Sequence, residues 1–189
     1  MPLEREGRQP ILPRGERQRR FEPKSYLLIH MGSGNGMKEW PTALWRGLVV
    51  RLVQAGEKCV FTGKGEKERA VVREVMGDLP NCVDLCDQVS WEECVELVRD
   101  AKRVVGVDTS VGHVTGATET PAVLLYTGVN RLENWSPLNP QATILMKEVP
   151  CYPCFRPRGC ETMECIRGVT VDEVFRAIEP IPVKFFVDF

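Results

Sequence analysis

Apolar residues recur along this chain with two periods that alternate from one stretch to the next. Leu27, Leu28 and Ile29, within S-Y-L-L-I-H at 25–30, form a short aliphatic run that predicts a buried strand. After it, Leu44, Leu48 and Leu52, with Trp45 and Val49 beside them, recur at helical spacing. Pro41 suits the first turn of that helix, and Gly56 ends it. Cys59 to Thr62 reads as a second strand, Lys67 to Met76 as a helix, and Val83 to Leu85 as a short third strand. Ser90-Trp91-Glu92-Glu93 is a capping box: the serine can cap the helix and Glu93 can reach back. Trp91, Cys94, Val95, Val98 and Ala101 are the expected buried face of that helix.

Val104, Val105 and Val107 predict a fourth strand, which stops at Asp108. A small-residue helix is expected from about Val111 to Thr118, then a strand over Pro121 to Tyr126 and a loop at Asn134–Pro137. Ala142 to Met146 is expected as an edge strand. A second capping box, Thr170-Val171-Asp172-Glu173, opens a helix running to about Ile178. Strand–helix alternation throughout predicts an α/β domain, a Rossmann-like doubly wound parallel sheet. Boundaries are expected at 25 and 180. Residues 1–24, charged and interrupted by Pro2, Pro10, Pro13 and Pro23, read as a linker or mobile arm, and 181–189 as a tail.

Composition narrows this picture. The 189 residues are 43% hydrophobic and 27% charged, enough for one globular core, with a formal net charge of -1. That balance argues against a nucleic-acid binder, which is normally basic. No run is long and apolar enough to predict a membrane-spanning helix, and M-P-L-E-R-E-G-R lacks the apolar centre of a signal peptide. The expectation is a cytoplasmic protein, acting at the inner membrane, if at all, through its substrate.

Candidate chemistry collects where strands end. Met31 to Lys38 is Gly-rich, with Ser33, Gly34 and Lys38 suited to cradle and neutralise a phosphate. It is not a P-loop, and its G-x-G-x-G spacing departs from the dinucleotide fingerprint. Glu66, after the second strand, is a carboxylate able to accept ribose hydroxyls, or a solvated turn residue. Asp108, Thr109, Ser110, Gly112 and His113 surround the start of a helix, whose dipole and unpaired N–H groups favour a pyrophosphate. Singly, each reads better as a loop, a solvated turn residue, a cap or a core histidine. Three such turns on one sheet edge favour a nucleotide site.

The segments I-H-M-G-S-G-N-G-M-K-E-W-P, F-T-G-K-G-E-K-E and V-V-G-V-D-T-S-V-G-H-V-T-G-A-T-E-T-P, in this order, resemble the ADP-heptose:lipopolysaccharide heptosyltransferase family, glycosyltransferase family 9. The resemblance runs from about Ser25 to Ile178 and covers the C-terminal half of such enzymes. It implies the C-terminal domain of a GT-B glycosyltransferase, which holds a nucleotide-diphosphate-sugar donor, ADP-heptose-like. Lys38 then corresponds to the phosphate-binding lysine, Ser33 to a hydroxyl at the donor phosphates, and Glu66 to the ribose acid. Asp108 corresponds to the acid that holds the sugar, with Thr109 and His113 completing D-T-x-x-x-H. Ser110 departs from the family's usual glycine, which leaves the donor's identity open.

The resemblance also implies inverting transfer to a lipid-linked saccharide without a metal cofactor. It puts the catalytic base and the acceptor site in an N-terminal domain that no stretch here supplies; Pro10-Ile11-Leu12 reads as the end of the interdomain linker. The expectation is a donor-binding half, inactive in transfer alone. The alternative is a stand-alone nucleotide-sugar-binding module without catalysis. A cysteine-centred interaction domain and an NAD-dependent oxidoreductase fit less well.

Eight cysteines remain. Cys59, Cys82, Cys86 and Cys94 lie in apolar segments, where a reduced buried thiol is ordinary. Cys151, Cys154, Cys160 and Cys165 follow C-x2-C-x5-C-x4-C, which reads as a structural zinc site or as reduced thiols, with disulfides and an iron–sulfur cluster as further options.

Overall fold

The computed structural model of the chain describes residues 19–156 and 158–179. Six strands are present among them: β1 (Leu27–His30), β2 (Cys59–Phe61), β3 (Cys82–Asp84), β4 (Arg103–Val107), β5 (Ala122–Leu125) and β6 (Ala142–Leu145). They form one sheet in the order β3-β2-β1-β4-β5-β6, and every neighbouring pair is parallel. The chain therefore steps outward from β1 to β3, then returns to the other side of β1 and steps outward again. The turns after β1 and β4 diverge at that reversal, the switch point where doubly wound sheets open a crevice.

Both faces are covered, as a parallel sheet requires. On one face Leu27, Ile29, Phe61, Val105, Val107 and Leu125 pack under α1 (Thr42–Gln54), α2 (Glu66–Met76) and α7 (Val171–Ile178). On the other, Leu28, Val60, Val104 and Leu124 pack under α3 (Trp91–Asp100) and α4 (Ser110–Ala117). Period-two alternation along the strands thus divides the core between two layers of helices. The two capping boxes form as the sequence predicts: Ser90 and Glu93 close the start of α3, and Thr170 and Glu173 that of α7.

Three expectations change. Trp91 is 52% exposed rather than part of the buried face, because it occupies the first helical position of α3 and turns to the sheet edge. Leu132–Trp135, which overlaps the loop expected at Asn134–Pro137, forms a single helical turn, α5, and Glu164–Arg167 within the cysteine segment forms another, α6. One turn is too short to carry a readable period. Residues 19–24, expected within the arm, lie against the domain. The Lys24 N–H donates to the Asp100 carbonyl at 2.7 Å, the Phe21 ring meets that of Tyr26 at a tilt with centroids 5.1 Å apart, and Arg19 pairs with Asp100 at 3.0 Å. Residues 1–18 and 180–189, with Pro10-Ile11-Leu12 and the tail, lie outside the described residues.

Candidate nucleotide-sugar site

A cleft of about 550 Å3 opens at the carboxyl ends of β1, β2 and β4. Its first wall is the turn after β1. Trp40 anchors that turn: its indole N–H donates to the Val169 carbonyl at 2.9 Å, and its ring meets Trp45 edge-on at 5.0 Å. Pro41 then opens α1, so the K-x-W-P stretch fixes the turn to the core two residues beyond Lys38. Lys38 reaches across the switch point to Asp108, Nζ to Oδ2 at 2.6 Å. Asp108 is nearly buried, whereas Lys38 keeps a partly exposed ammonium at the cleft. An entering phosphate can therefore take up Lys38 without any side chain first having to swing in.

The second wall begins at Asp108, whose backbone N–H is held by the Leu125 carbonyl. Thr109 and Ser110 then deliver the N-terminus of α4, which has no side-chain cap, to the cleft. The Thr109 hydroxyl is buried without a hydrogen-bond partner. Uncapped N–H groups and a helix dipole are what a diphosphate needs.

The floor is neutral. His30 Nδ1 lies 3.1 Å from the Thr62 hydroxyl. Burial pushes the imidazole pKa down to about 4, against a smaller upward pull from Thr62. Burial likewise pushes the Cys94 thiol up to about 11. At neutral pH the floor therefore adds no charge beneath a bound anion.

The third wall contains Glu68. Its carboxylate accepts a hydrogen bond from the Lys64 N–H at 2.8 Å. It lies so close to the turn after β1 that a Cβ on Gly32 would stand 2.0 Å from its carboxyl carbon. A side chain at position 32 would have to push the Glu68 carboxylate, the flexible end of its side chain, away from this wall. Val89, Ser90 and Trp91 close this end.

Of the residues singled out from the sequence, Ser33, Gly34, Lys38, Asp108, Thr109 and Ser110 line the cleft. Glu66, Gly112 and His113 are not among its lining. Glu66 is exposed and pairs with Arg73 at 3.6 Å. A Cβ on Gly112 would meet Leu124 at 3.2 Å, so this glycine serves helix–sheet packing. His113 sits a turn into α4. Sequence reasoning missed His30, Thr62, Glu68, Trp91 and Cys94. For Glu68 a signal existed: it is the third residue of α2, where a carboxylate reaches back to N–H groups before the helix.

Of the readings open for the cysteine cluster, the geometry matches reduced thiols. Cys151 is exposed, Cys165 buried and the other two intermediate, and all four are free. Among the described residues no three His, Cys, Asp or Glu side chains come together to hold a metal ion. The four thiols therefore do not fit the tetrahedral zinc site that their spacing suggested. Cys160 instead accepts from the Met163 N–H at 3.4 Å, which with Thr162 holds its thiol below the usual range.

A doubly wound parallel sheet with a cleft and an open helix N-terminus at its switch point defines a Rossmann-like domain. The family described as glycosyltransferase family 9 (heptosyltransferase) matches residues 9–164, and the chain belongs to it. Lipopolysaccharide heptosyltransferase 1 of Pseudomonas aeruginosa is 27% identical over 139 residues, 69% of this chain and 36% of that protein. The structure of E. coli ADP-heptose lps heptosyltransferase II superposes with a TM-score of 0.69 at 20% identity, over 82% of this chain and 46% of that one. E. coli heptosyltransferase WaaC with ADP-2-deoxy-2-fluoro heptose gives 0.67 at 18%, over 82% and 43%. These are GT-B enzymes, and the fold is shared. The chain spans between about a third and a half of their length.

Proposed function

We propose that this chain is the donor-binding half of an inverting, metal-independent glycosyltransferase, taking an ADP-heptose-like nucleotide sugar. The observation that carries the reading is the Lys38–Asp108 pair at the switch point, flanked by the uncapped start of α4. In this reading the base lies toward Val89 and Trp91, and the ribose near Glu68. The diphosphate lies at Ser33, Gly34, Lys38 and the N–H groups of α4, with the sugar near Asp108. Family membership and the neighbour described with ADP-2-deoxy-2-fluoro heptose support the ligand class.

In the intact enzyme an acceptor hydroxyl on a lipid-linked saccharide attacks the anomeric carbon. The new C–O bond forms as the sugar–phosphate C–O bond breaks, and ADP leaves with the bonding pair. The hydroxyl proton passes to a base on the other half. Lys38 and the α4 N–H groups stabilise the charge that develops on the departing diphosphate, the part a metal plays elsewhere. Such a chain works at the cytoplasmic side of the inner membrane; among the described residues no helix is long and apolar enough to cross a membrane. The share of its relatives' length that the chain spans equally suits a nucleotide-sugar-binding module without catalysis.

Calorimetry with ADP tests the reading. ADP binds the wild type, and Lys38→Ala weakens it by roughly tenfold or more, the scale of one charge-assisted contact. Unchanged affinity removes Lys38 from the phosphate site. Replacing Glu66 and Glu68 separately by Gln assigns the ribose: the cleft geometry predicts that Glu68→Gln weakens ADP and Glu66→Gln does not.

A further inference from the structure

The turn after β5 is the next strand-end turn along the sheet, and the nucleotide cleft does not use it. Beside Asn35 and Lys38, which border both spaces, lies a second hollow of about 340 Å3, walled by Met37, Thr127, Val129, Asn130 and Phe155. Phe155 is 62% exposed. Its backbone has φ 50°, the left-handed region that a bulky residue rarely enters. Yet this is not a loose loop tip. The Cys154 N–H donates to the Gly128 carbonyl at 3.0 Å, and the Phe155 N–H to the Val129 carbonyl at 2.9 Å. The Tyr152 hydroxyl accepts from the Leu132 N–H at 3.0 Å. The cysteine segment is thus tied to the turn after β5, and it holds an aromatic ring in a strained position beside a hollow of mixed polar and apolar lining. Strained residues of this kind cluster at ligand sites, and here the side chain is left in solvent and not packed.

Position says what the hollow receives. Across the sheet the order is Val89 and Trp91, then Lys38 and Asp108, then the 127–130 turn. A nucleoside diphosphate with its base at Trp91 and its diphosphate at Lys38 directs whatever is esterified to the second phosphate past Lys38, between its partner Asp108 and the hollow. One aromatic wall, with an amide and a hydroxyl beside it, suits a sugar ring, which offers an apolar C–H face and polar edges.

We propose that Phe155, with Asn130 and Thr127, forms the subsite for the glycosyl ring of the donor, and that the cysteine segment exists to present Phe155 there. The proposal rests on the nucleotide-sugar reading of the main cleft. The test is calorimetry of the full chain with ADP-heptose, and with ADP as the sugarless control. Phe155→Ala leaves ADP affinity within about twofold and weakens ADP-heptose about tenfold, the scale of one ring face packed on an aromatic; Phe155→Tyr retains it. If Phe155→Ala leaves ADP-heptose unaffected while ADP still binds, the subsite is wrong and the nucleotide reading stands. An equal loss of both ligands, with circular dichroism unchanged, makes Phe155 a support of the cleft and also overturns the proposal. If the wild type binds neither ligand, the nucleotide reading falls and the subsite with it.

Discussion

His30 ends the central strand, and its neutral imidazole has a consequence for stability. Burial pushes its pKa down to about 4, whereas in the unfolded chain it is about 6.5. Between these values the unfolded state binds the extra proton, so stability rises with pH through this window and is complete above it. Acidification from about pH 7 to 4.5 should cost on the order of 1–3 kcal/mol, an allowance being made for the ring's partial access to the cleft. Urea unfolding at several pH values measures this, and His30→Gln should flatten the dependence; an unchanged slope would assign it to another group. The sequence singles out His113, the other histidine of the chain, and does not say that His30 becomes the neutral floor of the cleft. The difference lies in which strand ends beside Thr62, a relation across 32 residues. Glu66 and Glu68 show the same limit. Both are acidic residues in the first turn of α2, and only the phase of that helix decides which carboxylate turns to the cleft.

At the level of elements the strands, the long helices and both capping boxes were legible, because each carries its signal within a few residues. Strand order was not, since parallel pairing leaves no mark on local sequence. Single-turn helices were lost because one turn carries no readable period, and the outward turn of Trp91 because it depends on where α3 begins. Gly106 was passed over as one more residue of an apolar run. In β4 it pairs in register with His30 of β1, and a Cβ on it would stand 2.8 Å from the His30 carbonyl oxygen. Both groups are backbone at the centre of the sheet, so neither can turn aside. Gly106→Ala must spread β1 from β4 at the switch point, at a cost of about 2 kcal/mol. For a domain of this size that is a fall in Tm of roughly 4–8 °C. Because His30 and the turn to Lys38 move with β1, ADP affinity should fall as well. A variant that melts like the wild type would mean that the strands part without strain.

At the scale of the whole molecule, both faces of the sheet are closed by helices, and the cleft opens at the strand ends. The residues placed around it are those proposed to bind and neutralise a donor. Among them, Asp108 is engaged with Lys38, and His30 stays neutral on the floor. Asp108 is thus tied up as a counter-ion, and its proposed place is against the sugar and not against an incoming hydroxyl. Transfer needs a base facing the anomeric carbon from across the cleft, together with a surface for the acceptor; the relatives, of which this chain matches 36–46% of the length, have room for both. Binding and turnover should therefore separate. The chain alone should bind ADP with the same affinity in excess EDTA as in magnesium, since Lys38 and the α4 N–H groups supply the countercharge. It should transfer no sugar from ADP-heptose to a lipid-linked acceptor, as followed by ADP release. Adding a domain that supplies the facing wall should restore release, and Lys38→Ala should abolish that restored activity. Turnover by the chain alone would place a base among residues assigned here only to binding. A strict magnesium requirement for ADP would mean that Lys38 and the start of α4 do not carry the diphosphate.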